Sequence, residues 1–201
     1  MTAAQDDLGQ IATLRIELLD TDPSIWRQVE VSTSSTLKDL HTLIQAAMGW
    51  ANQHLWEFRI GRQIYGQPMS GDTWGGPAII NAGKVRLTEL LKPRKTVIDY
   101  TYDMGDSWEH RLTLTDVRPA DPALVYPRYI AGERPAPPED CGGVPGFYTA
   151  LETLADPNHP EHADVVDWLD GYDPNHFNEL ALKLAVGRIA SRRKAAKARP
   201  T

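Results

Sequence analysis

The chain has 201 residues, is 41% hydrophobic, carries six tryptophans and has a formal charge of −6. A chain of this length buries roughly 70% of the surface it exposes when unfolded, so a core needs neither disulfide nor metal. Cys141 is the single cysteine, which excludes an intrachain disulfide and fits a reducing, cytoplasmic setting. The start MTAAQDDLGQ lacks the basic residues and apolar run of a signal peptide, and no apolar stretch approaches the ~20 residues of a membrane span.

The charge is unevenly spread. Residues 1–182 hold 14 basic and all 27 acidic side chains, a formal charge of −13, whereas seven Lys/Arg and no acid follow from Lys183 onward. The acidic body repels nucleic acid. The basic tail contacts phosphate weakly and without specificity, or simply complements the negative end of a helix.

In chain order, Leu14, Ile16 and Leu18 alternate, as do Ile25, Val29 and Val31, with the turn cluster DTDPS between them. The pattern predicts an antiparallel hairpin. Thr36 and Asp39 form a capping-box pair. Leu37, Leu40, Ile44, Ala47 and Met48 follow at helical spacing, and Gly49 is a stop signal. The stretch HLWEFRI alternates again, with His54, Trp56, Phe58 and Ile60 on one face. Hairpin, helix, strand is the opening order of the β-grasp fold, an analogy that carries no function. Residues 66–83 read as loop, and Val85 to Leu91 as a short strand or turn. Residues 119–145 are Pro-rich and show no regular period.

The last third is helical. One short helix contains Phe147, Leu151 and Leu154 and stops before Pro157; a second begins at Pro160. A last helix, opened by Asp173-Pro174, places Phe177, Leu180 and Leu184 against the body. The fold class expected is α+β: an antiparallel or mixed sheet with a β-grasp-like start and a C-terminal helical part packed on it. The organisation is one domain over residues 1–201. It comprises a sheet-rich part (1–118), a Pro-rich connection (119–145), a helical part (146–190) and a basic tail (191–201).

Two stretches crowd chemistry-bearing residues. In YDMGDSWEH, a hairpin that sets Tyr102 opposite Trp108 leaves a five-residue loop, Asp103 to Ser107. The register then pairs Tyr100 with His110 and Ile98 with Leu112 on an inward face. Asp99 with Arg111 and Thr101 with Glu109 lie on the wet one. A one-residue slip would expose Trp108, so the register is well specified. His110 is then buried and needs a partner for its N–H. Asp103, Asp106, Glu139 and Asp140 are the candidates. His54 and Trp56 repeat the His–Trp pairing, so His54, Trp56, Tyr100, Trp108 and His110 are candidate ligand-binding residues.

In PPEDCGG, Glu139 and Asp140 add two carboxylates. Acidic loop residues ordinarily face water or bond their own backbone. If they converge, two carboxylates ~4 Å apart repel by about 4 kcal/mol at an effective dielectric near 20. A proton, an arginine (Arg128 or Arg134) or a divalent cation must then neutralise them. Asp103, Asp106, His110, Glu139 and Asp140 are the candidate metal ligands. Cys141 between acids is a poor nucleophile. HPEH, His159 to His162, reads as a helix-start segment. GGVPG lacks the lysine of a phosphate loop.

Taken together, PSIWRQVEV, TLKDLHTLIQAAMGW, HLWEF, YDMGDSWEH and RPAPPEDCGG occur in the order seen in the plasmid pRiA4b ORF-3-like family. The resemblance covers roughly residues 12–185; Met104 and Gln28 stand where members usually have Phe and Arg. It implies a mobile-element-associated α+β protein and carries over no catalytic residues. The function expected is a non-enzymatic binding module for a protein or small ligand. The alternative is a metal-dependent hydrolase or nuclease-like enzyme built on the Asp/Glu/His cluster, with a possible divalent metal ion.

Overall fold

The computed structural model describes residues 9–68, 78–92 and 96–197. The expected hairpin is β1 (Gln10–Leu18) and β2 (Ile25–Ser32), antiparallel, with Leu14 opposite Val29 and Leu18 opposite Ile25. The capping box then starts α1 (Leu37–Met48): Asp39 N–H donates to Thr36 Oγ1 at 3.1 Å, and Thr36 N–H to Asp39 Oδ2 at 2.9 Å. Gly49 ends the helix at φ 88°, a left-handed conformation that suits glycine.

Three strands follow, β3 (Trp56–Ile60), β4 (Gln63–Gly66) and β5 (Ile79–Asn81). Val85 to Leu91, expected as strand or turn, holds one helical turn, α2 (Leu87–Leu90), after a 3-10 turn at Ala82–Lys84. The strands β6 (Val97–Tyr102) and β7 (Trp108–Pro119) form the predicted hairpin in the predicted register: Tyr102 opposite Trp108, Tyr100 opposite His110, Ile98 opposite Leu112. Arg111 Nε donates to Asp99 Oδ1 at 3.1 Å on the wet face.

The eight strands of the described residues join one mixed sheet in the order β5-β4-β3-β6-β7-β1-β2-β8, antiparallel except for β4 with β5. β1 lies inside the sheet, between β2 and β7. Ala12, Leu14, Ile16 and Leu18 point with Leu112, His110 and Val29 into a core closed by Leu37, Leu40, Leu43, Ile44 and Ala47 of α1. β8 (Arg128–Glu133) lies within the Pro-rich connection, where no regular structure was expected. Pro127 and Pro135 flank it, and it takes an edge position, which puts no demand on its outer hydrogen-bonding side.

The helical part comprises α3 (Gly143–Ala155), α4 (His162–Leu169) and α5 (Glu179–Lys197). Asp173-Pro174 is not the start of α5. Asn178 is its cap, with Oδ1 accepting from Ala181 N–H at 3.1 Å. The face of α5 is also rotated from the expected one. Leu180 and Leu184 are 66% and 56% exposed, while Val186 and Ala190 are buried and Leu182 packs against the core. Gly49 lies against Leu182, leaving room for α5 to cross the end of α1. Arg193 in the basic tail is anchored to Ser35 Oγ at 2.9 Å and Asp39 Oδ1 at 2.6 Å. Residues 198–201 of that tail lie outside the described residues.

Strand parity places one unexpected residue in the core. Arg27 shares the inward face with Ile25 and Val29 and is fully buried. Its Nε donates to Ala47 O at 2.9 Å in the last turn of α1, and its Nη1 to Trp26 O at 2.8 Å and Glu133 O at 2.9 Å. The guanidinium also sits 4.8 Å from the Phe177 ring centroid. A cation at a helix C-terminus meets the negative end of the helix dipole. Burial lowers the Arg27 pKa to about 10, still charged at neutral pH. One side chain thus ties α1, β2, β8 and the segment before α5 together.

Candidate functional site

The loop of the β6–β7 hairpin and the loop at 137–143 meet. Asp106 Oδ2 accepts from Gly142 N–H at 3.1 Å. Gly143, at φ 67°, lies so close that an added Cβ would come within 2.3 Å of Asp106 O, so a side chain there would push the loops apart. A third segment, between α1 and β3, closes against both. Trp50 Nε1 donates to Pro137 O at 2.9 Å, Ala51 N–H to Glu139 Oε2 at 2.7 Å, and Asp103 N–H to Leu55 O at 2.8 Å. Tyr102 sits at the centre. Its hydroxyl donates to Glu139 and accepts from Gln53 N–H at 3.0 Å. Burial first, then the adjacent Glu139 carboxylate, raises the Tyr102 pKa and keeps the phenol protonated.

The four carboxylates therefore divide. Asp106 and Glu139 are held in loop-to-loop bonds. Asp103 and Asp140 turn towards His54, with Asp103 Oδ2 at 3.5 Å from Nδ1 and Asp140 Oδ1 at 3.2 Å from Nε2. Asp103 is buried and Asp140 exposed; both hold positive φ, 58° and 61°. Arg128 and Arg134, candidates from sequence for neutralising this cluster, are not its partners. Arg128 pairs with Glu30 at 2.9 Å, and Arg134 Nε is buried without a hydrogen-bond partner. Cys141 is a weak nucleophile, as its neighbours imply. Burial, then Asp106 and Asp140, pushes its thiol up to about 12.

His110 lies elsewhere. It is fully buried, and its Nδ1–H donates to the carbonyl of Trp108, two residues back on its own strand, at 2.9 Å; no carboxylate of the acidic loops serves it. Burial lowers its pKa to about 4, so it is a neutral imidazole at pH 7. Tyr100 and Trp108 are buried beside it. The rings linking it to the surface run through Trp50, 5.3 Å from His110, Tyr102, 5.2 Å from Trp50, and His54, 5.6 Å from Tyr102. The structure thus brings Asp103 and Asp140 to His54, ties Asp106 and Glu139 into the contacts between the loops, and leaves Tyr100, Trp108 and His110 inside the core.

Beside His54 lies a cleft of about 310 Å³ lined by Lys38, His41, Thr42, Asn52, His54, Leu55, Trp56 and Gln67. Its wall is a stack of His41 on Trp56, with centroids 4.0 Å apart and planes 11° off parallel. His41 Nε2 meets Asn52 Oδ1 at 2.6 Å and Nδ1 meets the Tyr100 hydroxyl at 2.8 Å, an arrangement that neutral Nε2–H imidazole satisfies. Burial lowers the His41 pKa to about 4. Sequence reasoning passed over His41. The available signal was its position one residue after Leu40, on the flank of the apolar face of α1.

A mixed eight-stranded sheet with helices packed on it defines an α+β protein, in which three loops gather around one imidazole. The sequence profile of the plasmid pRiA4b ORF-3-like proteins matches residues 10–181, and the chain belongs to that family. It is 35% identical over 189 residues to the uncharacterized protein y4hQ of Sinorhizobium fredii, covering 92% of this chain and 95% of that one. It also resembles the crystal structure of MM3350, a protein of unknown function from Methanosarcina mazei Go1. That match has a TM-score of 0.77 and 34% identity, and spans 86% of this chain and 96% of that one. Among the described residues, no helix is long and apolar enough to cross a membrane.

Proposed function

We propose that this protein is a binding module for a small ligand, and that the ligand seats in the cleft against the His41–Trp56 stack. The observation that supports this reading is the preformed wall. Both nitrogens of His41 are engaged, so the imidazole and the indole on it keep their positions before any ligand arrives. Leu55, 54% exposed, and the Trp56 indole offer apolar contact, while Lys38, Asn52 and Gln67 offer polar groups at the rim. A volume of about 310 Å³ is at the small end of ligand pockets. The ligand class that fits is a small molecule with a planar apolar part and an anionic group within reach of Lys38.

The test is protein-observed NMR with a panel of aromatic carboxylates and nucleoside monophosphates, following the Trp56 indole N–H. Binding that perturbs this resonance and is lost in Trp56→Ala supports the reading. A panel that leaves the resonance unmoved, or binds Trp56→Ala as it binds the parent, refutes it.

A further inference from the structure

We infer that His54, Asp103 and Asp140 form a binding site for one divalent first-row transition-metal ion, zinc or manganese in class. This ligand set differs from the one the sequence pointed to: His54 takes the place of His110, and Asp106 and Glu139 drop out. One donor atom from each of the three residues lies within 4.8 Å of the other two. Bonds of about 2.0–2.2 Å to a common ion hold three ligand atoms roughly 3.3–3.7 Å apart, so a closure of up to about 1.5 Å completes the site.

The donor chemistry selects the ion. One imidazole nitrogen beside two carboxylates favours zinc, manganese or iron over magnesium and calcium, which prefer all-oxygen shells. Three protein ligands leave at least one position open to water or an exogenous ligand.

A second observation comes from hydrogen bonding. His54 Nε2 is shielded from solvent yet has no hydrogen-bond partner, although Asp140 Oδ1 is 3.2 Å away. The contact is close without the alignment of a hydrogen bond, as expected of two ligand atoms of one cation; Nε2 is then the ligating nitrogen, and Asp103, 3.5 Å from Nδ1, turns towards the ion. Asp103 keeps Oδ2 free for an ion while its Oδ1 holds the turn, accepting from Gly105 N–H at 2.8 Å. Glu139 bonds to Ala51 N–H and Tyr102, and Asp106 bonds to Gly142 N–H, so the loops bearing Asp103 and Asp140 are fixed by residues that do not face His54. The site shares His54 with the cleft but does not depend on the cleft being occupied.

The experiment uses the full chain without an affinity tag, dialysed against chelator, and titrated calorimetrically with zinc, manganese, magnesium and calcium chlorides. We expect one zinc or manganese ion per chain and a raised melting temperature. Cobalt should give the visible absorption of a bound ion. Asp140 is exposed, so Asp140→Asn preserves the fold; it and His54→Gln weaken the metal by about tenfold or more. Asp106→Asn retains the same stoichiometry, and Trp56→Ala leaves metal affinity unchanged while removing any ligand of the cleft. Absence of stoichiometric zinc or manganese, or binding by Asp140→Asn and His54→Gln equal to the parent's, overturns the site. Failure of the metal with intact binding at Trp56 rejects this inference alone, and the converse rejects the cleft alone.

Discussion

Acidification probes the two buried imidazoles directly. In the folded chain His41 and His110 hold pKa values of about 4, each lowered chiefly by burial, whereas an unfolded histidine titrates near pH 6.5. Between these values the unfolded state binds more protons than the folded one, so stability falls as pH falls. The loss begins as pH drops through about 6.5 and is complete below about 4, reaching about 3 kcal/mol per histidine. From about pH 7.5 to about pH 5 each contributes about 2 kcal/mol, or about 4 kcal/mol for the pair. That is a large part of the 5–15 kcal/mol typical of a domain. Asp39 acts on the other side of the window. Burial raises its carboxyl, but the Thr36 N–H and Arg193 outweigh that and leave its pKa below the ordinary value, so its contribution is lost only at more acidic pH. Urea unfolding followed by tryptophan fluorescence and circular dichroism, repeated across this range, measures the slope. His110→Leu and His41→Gln each remove about half of it. A wild-type loss under about 1 kcal/mol, or variants that keep the full slope, would show that these imidazoles are not held neutral by the core.

Arg27→Met leaves the Ala47, Trp26 and Glu133 carbonyls without their donor and is expected to cost about 3–5 kcal/mol in urea unfolding, with Arg27→Lys failing to restore it because one ammonium cannot span them. Trp108→Ala lowers stability by about 3–5 kcal/mol, because its indole is fully buried; binding by the fraction that stays folded is unchanged. Glu139→Ala removes the anchors to Ala51 and Tyr102, lowering the melting temperature and weakening metal binding, whereas Glu139→Gln, which keeps an acceptor, recovers part of both. Gly143→Ala separates the two acidic loops and lowers metal affinity with a smaller effect on the core, read by calorimetry and near-ultraviolet dichroism.

Local pattern carried some elements all the way to the structure. The β6–β7 register is legible because both strands alternate and each face pairs like with like: aromatic with imidazole inside, Asp99 with Arg111 outside. The capping box of α1 is legible because all its contacts lie within four residues. Elements that depend on distant partners are not. Arg27 has the parity of a core residue and the chemistry of a surface one, and the carbonyls that reconcile the two lie on α1 and β8. β8 carries no periodic signal of its own and becomes a strand because β2 offers a free edge. On α5, leucines at 180 and 184 and the set Leu182, Val186, Ala190 share the same spacing of four. Gly49 against Leu182 selects between them.

The same distinction governs the site. Asp103, Asp106, Glu139, Asp140 and His54 are all visible in the sequence as polar residues on loops or strand ends. Which of them meet is decided by Tyr102, a residue that reads as core. Its ring is buried in the stack with Trp50, and its hydroxyl emerges at the one point where Glu139 and Gln53 N–H can both reach it. Fixing Glu139 there leaves Asp140, the next residue, on the outer side of the loop, facing His54. Asp106 is held by Gly142 in the same way, which leaves Asp103 to face His54 from the other loop. The two anchored carboxylates thus set the positions of the two nearest the imidazole. Exchanging ligand for anchor along either loop would therefore lose both roles, even with net charge unchanged.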